Sequence, residues 1–404
     1  MAKVLAINAG SSTLKWKLFS LPEETVIASG MVDRLGLSNS VFVLKKADGD
    51  KYSETHDKIN AQEAAAMVLT RLKSDGIVEH LTEITGIGHR IVAGGEDFKD
   101  SVVITPTTLK QIKDLSEYAP LHNPTQAYYI EVFQQLLPKA VQVAVFDTSL
   151  YATMPEVNYL YSVPYEYYKQ FGARKYGAHG TSHRYVAQRT AELLGKPLAD
   201  LKLITLHLGS GASITAFDHG KAIDTSMGFT PLAGITMSTR SGDIDASMIP
   251  FLMRHLGISD VQDFIDILNN KSGLLGISGV SPDMRDLDNA ANNDHNHRAE
   301  LALEIFANRV IKYIGSYIAE MNGLDALVFT AGVGENSVAM RSRILNQLGY
   351  FGITIDEDKN NCHGVEQVIS KPNEPVTVMV VPTNEELMIV RDVERLTHRA
   401  PIAK

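Results

Sequence analysis

The chain has 404 residues, enough for two or three domains at roughly 100–200 residues each. Its 44% hydrophobic and 21% charged residues are ordinary globular usage, which excludes a disordered or collagen-like chain. With 38 basic and 47 acidic residues the formal charge is −9, so the chain lacks the electrostatic footprint of a general nucleic-acid or anionic-membrane binder.

The first apolar run, residues 4–7, reads as a strand; Asn8 breaks it and leaves it too short for a signal-peptide core. Further short runs at 141–146, 203–207, 326–330 and 376–381 alternate with helical patterns, the signature of an α/β protein with partly parallel sheets. Asn123-Pro124 puts a capping residue before a proline at the first helical position, ahead of Tyr129, Phe133 and Leu136. Ser182 opens a helix that ends at Gly195, and Asp260 opens one that ends before Gly273. Residues 289–297 are polar and predict an exposed loop whose histidines are solvated rather than metal ligands. The longest helix is expected over about 298–321, with Leu303, Phe306, Val310, Ile314 and Tyr317 on one face. No stretch approaches the roughly 20 apolar residues of a membrane span. The single cysteine, Cys362, cannot form an internal disulfide, and no CxxC pair exists, which fits a reducing, cytoplasmic setting.

Residues 5–15 and 204–214 repeat one pattern: an apolar strand, a polar residue, Gly-Ser, small residues, then a second strand-like segment. Two similar domains, each opening with a strand, a glycine turn and a strand, account for it. Such turns offer backbone N–H groups and hydroxyls to phosphate oxygens, and Lys15 adds a positive charge after the first. The GxxxxGK[ST], GxGxxG and protein-kinase signatures are missing, which disfavours those folds. A third cluster, Gly332-Val-Gly334-Glu-Asn-Ser337, follows an apolar strand, where small residues let an adenine or ribose approach; Asp283-Met284-Arg285 is a second candidate for that pocket.

Several charged residues sit in turns. Arg90 precedes Gly94 and Gly95, and Arg240 lies in Ser238-Thr-Arg-Ser-Gly-Asp-Ile-Asp245; both present planar donors suited to a carboxylate or phosphate. Asp147 ends the run 141–146, at the strand end where open α/β sheets bind ligands. His179 stands between small residues in Tyr176-Gly-Ala-His-Gly-Thr-Ser-His183, with little packing to explain it. Glu385 and Glu386 open the last helical segment, where acids commonly answer the helix dipole.

At these motifs the sequence resembles the acetate kinase family of the acetate and sugar kinase/heat-shock/actin superfamily. The matches run in order from Asn8-Ala-Gly-Ser-Ser-Thr-Leu-Lys15 through Gly88-His-Arg90, Ala119-Pro-Leu-His-Asn-Pro124, Val145-Phe-Asp147, His179-Gly-Thr-Ser-His183, His207-Leu-Gly209, Thr239 to Asp245, Ser278-Gly279, Asp283 to Arg285, and Thr330 to Ser337, ending at Pro382-Thr-Asn-Glu-Glu-Leu387. The resemblance implies duplicated ribonuclease-H-like domains of the actin/hexokinase type with the active site in the cleft between them. It places the first domain at 1–149 plus 383–404, with a returning C-terminal helix, and the nucleotide-binding domain at 150–382. It further implies reversible phosphoryl transfer between ATP and a short-chain carboxylate, most simply acetate, giving ADP and an acyl phosphate. Mg2+, with Mn2+ able to replace it, a homodimer and a cytoplasmic location come with it; nucleic acid and membrane do not.

By the same resemblance Arg90 holds the carboxylate and Asp147 is the catalytic carboxylate, while His179 and Arg240 stabilise the phosphoryl group in flight. Asn8 and Glu385 position the metal. Ser12, Lys15 and His207-Leu208-Gly209-Ser210-Gly211 bind phosphates; Asp283, Met284 and Arg285 with Ala331, Gly332, Val333, Gly334 and Glu335 hold the adenosine. Val92, Leu121, Pro231 and Ala178 line the acyl pocket. The chain departs from the family pattern at Ala93 (usually His), Ala178 (usually Phe) and Ser210 (usually Asn). From Ala178 follows the alternative of a wider pocket and a propionate or butyrate preference; from Ser210, that of a weakened ATP-binding relative. A sugar kinase of the same superfamily, with Asp147 as base, is a third possibility that the motifs disfavour.

Overall fold

The structure is a computed structural model, described here for residues 2–120 and 122–397. The chain divides into two compact units, Met1–Ala152 with Asn384–Lys404, and Thr153–Thr383.

The first unit is built on an eight-stranded sheet. Its strands are β1 (Ala2–Ala9), β2 (Thr13–Leu21), β3 (Thr25–Asp33), β4 (Ser40–Lys46), β5 (Lys51–His56), β6 (Ile84–Ile91), β7 (Val102–Val103) and β8 (Val141–Phe146), in the order β5-β4-β3-β2-β1-β6-β8-β7. β1, β2 and β3 pair antiparallel, while β6 and β8 add parallel to β1. One face buries Leu5, Ile7, Trp16, Leu18 and Phe42 with the helices Ala61–Ser74 and Asn123–Leu136. The other carries the returning helix Glu385–Thr397. Gly86 and Gly88 make room for that helix: a Cβ on either would stand 2.5 Å from Val393 or 2.2 Å from Ile389.

The second unit carries a six-stranded sheet of β9 (Lys202–Leu208), β10 (Ala212–Asp218), β11 (Lys221–Thr225), β12 (Ala326–Thr330), β13 (Gln367–Val368) and β14 (Thr377–Val380), ordered β11-β10-β9-β12-β14-β13. β9, β10 and β11 again run antiparallel, with β12 and β14 parallel to β9. The topology of β3-β2-β1-β6-β8 therefore recurs as β11-β10-β9-β12-β14, the duplicated ribonuclease-H-like, actin/hexokinase-type architecture. The period of two along β9 sends Ile204, Leu206 and Leu208 into the core under the helix His297–Met321. Thr205 and His207 face the other way, toward the helix Gly180–Leu194.

The repeat seen in sequence is real but slips by one residue. Four residues separate the closing pair Ala9 and Leu14 of the first turn, and three separate Leu208 and Ala212 of the second. Asn8 lies opposite Lys15, and His207 opposite Ser213, so the counterpart of Lys15 is Ser213 rather than Ile214.

Three local expectations need correction. Asn123 is the first residue of its helix, not its cap; its buried side-chain amide instead clamps Ala93, accepting from the Ala93 N–H at 3.1 Å and donating to its carbonyl at 3.0 Å. The helix expected from Ser182 begins at Gly180, after His179 in left-handed conformation (φ 56°), and the Ser182 hydroxyl bonds side chains of its own unit. Residues 289–293 are helical, within Met284–Asn293, because Asp283 caps that helix by accepting from the Arg285 N–H. The long helix then starts at His297 under an Asn296 cap. His295 and His297 are exposed.

Candidate functional site

In the first unit, four predicted residues meet at the carboxyl ends of β1, β6 and β8. Arg90 donates from Nε and a terminal nitrogen to Asp147 Oδ2 at 3.0 and 2.6 Å, and from its other terminal nitrogen to Asn8 Oδ1 at 3.2 Å. Glu385, at the start of the returning helix, stands 3.9 Å from Arg90 Nε. Asp147 is fully buried, whereas the Arg90 side chain keeps about a fifth of its surface exposed. A guanidinium braced on one edge by a buried carboxylate is held as a fork for a second anion. Burial works against its charge, but Asp147 and Glu385 overturn that and raise its pKa.

Burial drives Glu385 up to about 7; Arg90 pulls it down, and Asp147 and Glu386 add to the rise. The dipole account therefore does not exhaust Glu385. Glu386 is occupied otherwise, taking Lys17 at 2.8 Å. Among the described residues no group of three or more His, Cys, Asp or Glu side chains is poised to hold a metal. The Asn8 amide oxygen and the Glu385 carboxylate nonetheless fit Mg2+, a hard ion that takes one or two protein oxygens, several waters and substrate phosphates.

Lys15 and Ser12 are exposed at the first glycine turn. Val92 and Ala93 form a small apolar cluster with Ala119 and Tyr118. Val92 donates its N–H to Gln126 at 3.0 Å. Leu121 lies outside the described residues.

The second unit opens a cavity of about 800 Å³, ample for a nucleotide. Its lining includes the turn Gly209-Ser210-Gly211, Arg240, Asp283, Met284 and Arg285, and Gly332 and Val333. Three glycine- or cap-based segments far apart in sequence are thus brought to one place. Arg240 is largely buried; burial lowers its pKa, and no carboxylate neutralises it among the described residues, its terminal nitrogen donating to the Pro231 carbonyl at 3.2 Å. Gly211 sits between catalytic candidates: a Cβ there would touch His179 Nε2 at 3.4 Å and an Arg240 terminal nitrogen at 3.5 Å. Asp283 and Arg285 pair with each other at the cavity wall, 2.6 Å apart.

Other predicted residues lie behind the lining. His207 and Leu208 are buried, His207 stacking on His179 with ring centroids 4.2 Å apart. Glu335 turns inward, accepting from the Ala331 N–H at 2.8 Å and the Thr383 N–H at 3.1 Å, and so braces the short helix Ala331–Asn336. Ala178 is buried in the packed core of the unit.

Sequence reasoning missed Thr239, Phe306 and His363, which line the cavity. It also missed Arg341, fully buried with no acidic partner among the described residues, which donates to Asn360 Oδ1 at 2.7 Å and to the carbonyls of Gly334, Asn360 and Cys362. Arg341 ties the helix Ala331–Asn336 to the loop bearing His363. Its only sequence signal was an arginine on a helical face otherwise buried by Met340, Ile344 and Leu345.

The chain is similar to known proteins over almost its whole length. Residues 3–391 match the model of the Acetokinase family. Acetate kinase 1 of Latilactobacillus sakei is 63% identical over 396 residues, covering 98% of this chain and 100% of that protein; acetate kinase of Enterococcus faecalis is 59% identical with the same coverage. The crystal structure of Porphyromonas gingivalis acetate kinase superposes with a TM-score of 0.93 at 43% identity, over 98% of this chain and all of that one. A continuous match, two ribonuclease-H-like sheets and a nucleotide-sized cavity at the second glycine turn together make this chain a member of the acetokinase family.

Proposed function

We propose that the protein transfers the γ-phosphoryl group of ATP to acetate, reversibly, giving ADP and acetyl phosphate. The observation that carries this reading is the pair of charge arrangements, an arginine forked on a buried aspartate in one unit and an unneutralised arginine beside a glycine turn in the other. Acetate is already ionised near pH 7, so no base is needed to make the nucleophile. The obstacle is repulsion between two anions. Arg90, steadied by Asp147, binds the acetate carboxylate, and Val92 receives its methyl group. Ser12, Lys15 and the backbone of Gly209–Gly211 hold phosphate oxygens, and the cavity wall at Asp283–Arg285 and Ala331–Glu335 holds the adenosine. Arg240 and His179 donate to the equatorial oxygens as charge spreads over them in the transition state. A divalent ion, Mg2+ or Mn2+, held by Asn8 and Glu385, would supply further neutralisation of phosphate charge.

The acetate kinases among the relatives favour acetate over propionate or butyrate. The intact Arg90, Asp147, His179 and Arg240 speak against a weakened relative. No helix among the described residues is long and apolar enough to cross a membrane, and the lone, unpaired Cys362 suits a reducing cytoplasm. The homodimer remains part of the proposal; light scattering would read two chain masses in one particle, and a single mass would remove it.

The test is ADP formation from Mg-ATP and acetate, repeated with Arg240→Ala. Turnover in the parent that falls at least about 100-fold in the variant supports the assignment, as expected when a transition-state donor is lost. Acetate-independent ADP release, or a variant as active as the parent, would refute it.

A further inference from the structure

His179 is tied to a buried chain of side chains with a definite end. Its Nδ1 lies 2.8 Å from Ser213 Oγ; the same oxygen lies 2.8 Å from His183 Nε2; and His183 Nδ1 lies 2.6 Å from Thr205 Oγ1. Ser213, His183 and Thr205 are all fully buried. The chain follows from the fold: β9 and β10 turn Thr205 and Ser213 to the face beneath the helix Gly180–Leu194, and one helical turn separates His179 from His183.

We infer that Thr205, His183 and Ser213 fix the tautomer of His179, so that it meets the phosphoryl group as a neutral imidazole donating from Nε2. The polarity is set from the closed end. Among the described residues the Thr205 hydroxyl bonds only His183, so its proton goes to His183 Nδ1; turned away, it would be a buried donor without a partner there. His183 then carries its proton on Nε2 and gives that hydrogen bond to Ser213 Oγ. Burial and the nearby His207 hold His183 well below the ordinary histidine range, in keeping with one proton on its ring. The Ser213 hydroxyl proton is left to point at His179 Nδ1, which must accept it, and the His179 proton sits on Nε2.

That atom is the one beside Gly211 and Arg240. A second proton on His179 would oppose the Ser213 hydroxyl at Nδ1. It would also add charge next to the Arg240 guanidinium and to the stacked ring of His207, whose Nδ1 is 2.8 Å from Ser182 Oγ. The division of labour is therefore specific: Arg240 brings the charge, and His179 brings an oriented neutral donor. Ser213, His183 and Thr205 are positioning residues. The inference rests on the phosphoryl-transfer reading of His179, and the experiment separates the two.

The test is the ¹⁵N spectrum of the imidazole nitrogens of the full-length protein near pH 7, assigned with His179→Gln, on the parent, Ser213→Ala and Thr205→Val. The parent should show His179 neutral with its proton on Nε2. Ser213→Ala should give a mixture of tautomers and a His179 that takes up a second proton more readily. It should lower kcat about tenfold with KM for ATP within about twofold, as expected for one lost orienting hydrogen bond. Thr205→Val, close in shape and lacking only the hydroxyl, should shift the tautomer ratio in the same direction. A parent His179 that is cationic, or protonated on Nδ1, would overturn the inference even if His179→Gln abolishes turnover. Full activity in His179→Gln would overturn the catalytic reading itself, whatever the tautomer.

Discussion

Gly211 is the residue whose identity the site explains most directly. Its missing side chain leaves the space between His179 Nε2 and Arg240 in which a phosphate oxygen can take donors from both, and a Cβ would meet them at ordinary contact distance without disturbing the backbone. Gly211→Ala should therefore fold normally, with Tm within about 2 °C of the parent, and lose kcat by at least about tenfold, since the methyl group occupies the oxygen's place. Calorimetry beside a kinetic assay checks both halves, and a drop in Tm without a kinetic effect would contradict the reading. Arg90, Asp147, His179 and Arg240 were legible in the sequence because charged residues in glycine-flanked turns are poorly explained by packing. Ser213 was not. A serine in an apolar strand carries no signal until the register opposite His207 and the helix above it are known. Asn123 was misread for a related reason: a side chain that caps a helix and one that clamps a distant loop look alike beside a proline.

At the level of elements, the returning helix and β6 are matched to each other. Gly86 and Gly88 let Val393 and Ile389 lie directly on the strand, and the same helix delivers Glu385 to Arg90. Gly88→Ala puts a methyl group 2.2 Å from the Ile389 side chain and must push the helix outward. We expect a loss of about 1–3 kcal/mol in stability, typical of overpacking, together with a raised KM for acetate as Glu385 and Arg90 separate. Denaturant unfolding and initial rates against acetate test it; an unchanged KM would mean that the helix position does not matter to the acceptor site. The strands at 141–146 and 326–330 could be read from their apolar runs to the residue. β5 could not, because its polar Lys51-Tyr-Ser-Glu-Thr-His56, alternately exposed, resembles a loop. The segment 289–293 was misjudged because its asparagines hide a helix set by the Asp283 cap upstream.

Over the whole molecule, one strand order serves both units, and each unit buries a histidine behind its sheet. His89, bonded to Gln142 at 2.7 Å, is lowered by burial to about 4, and His183 is lowered well below its ordinary value. A histidine whose folded pKa lies below its unfolded value of about 6.5 leaves the unfolded chain the better proton binder as pH falls. The stability is present above about pH 6.5 and is lost on the way down toward pH 4, on the order of 3 kcal/mol for His89 alone. Urea unfolding of the parent at about pH 7.5 and about pH 4.5 should show that loss, and His89→Gln should remove most of its share. An equal pH dependence in the variant would contradict the assignment. Duplication was legible from two glycine turns half a chain apart; the one-residue slip between them was not, since only strand pairing reveals where a turn closes.

Phosphoryl transfer to a carboxylate is observed directly by ³¹P NMR of Mg-ATP, acetate and enzyme. The expected result is an acetyl phosphate resonance growing as γ-phosphate declines, absent without acetate and nearly absent with Arg240→Ala. Inorganic phosphate as the sole product, or no change in the γ-phosphate signal, would contradict it.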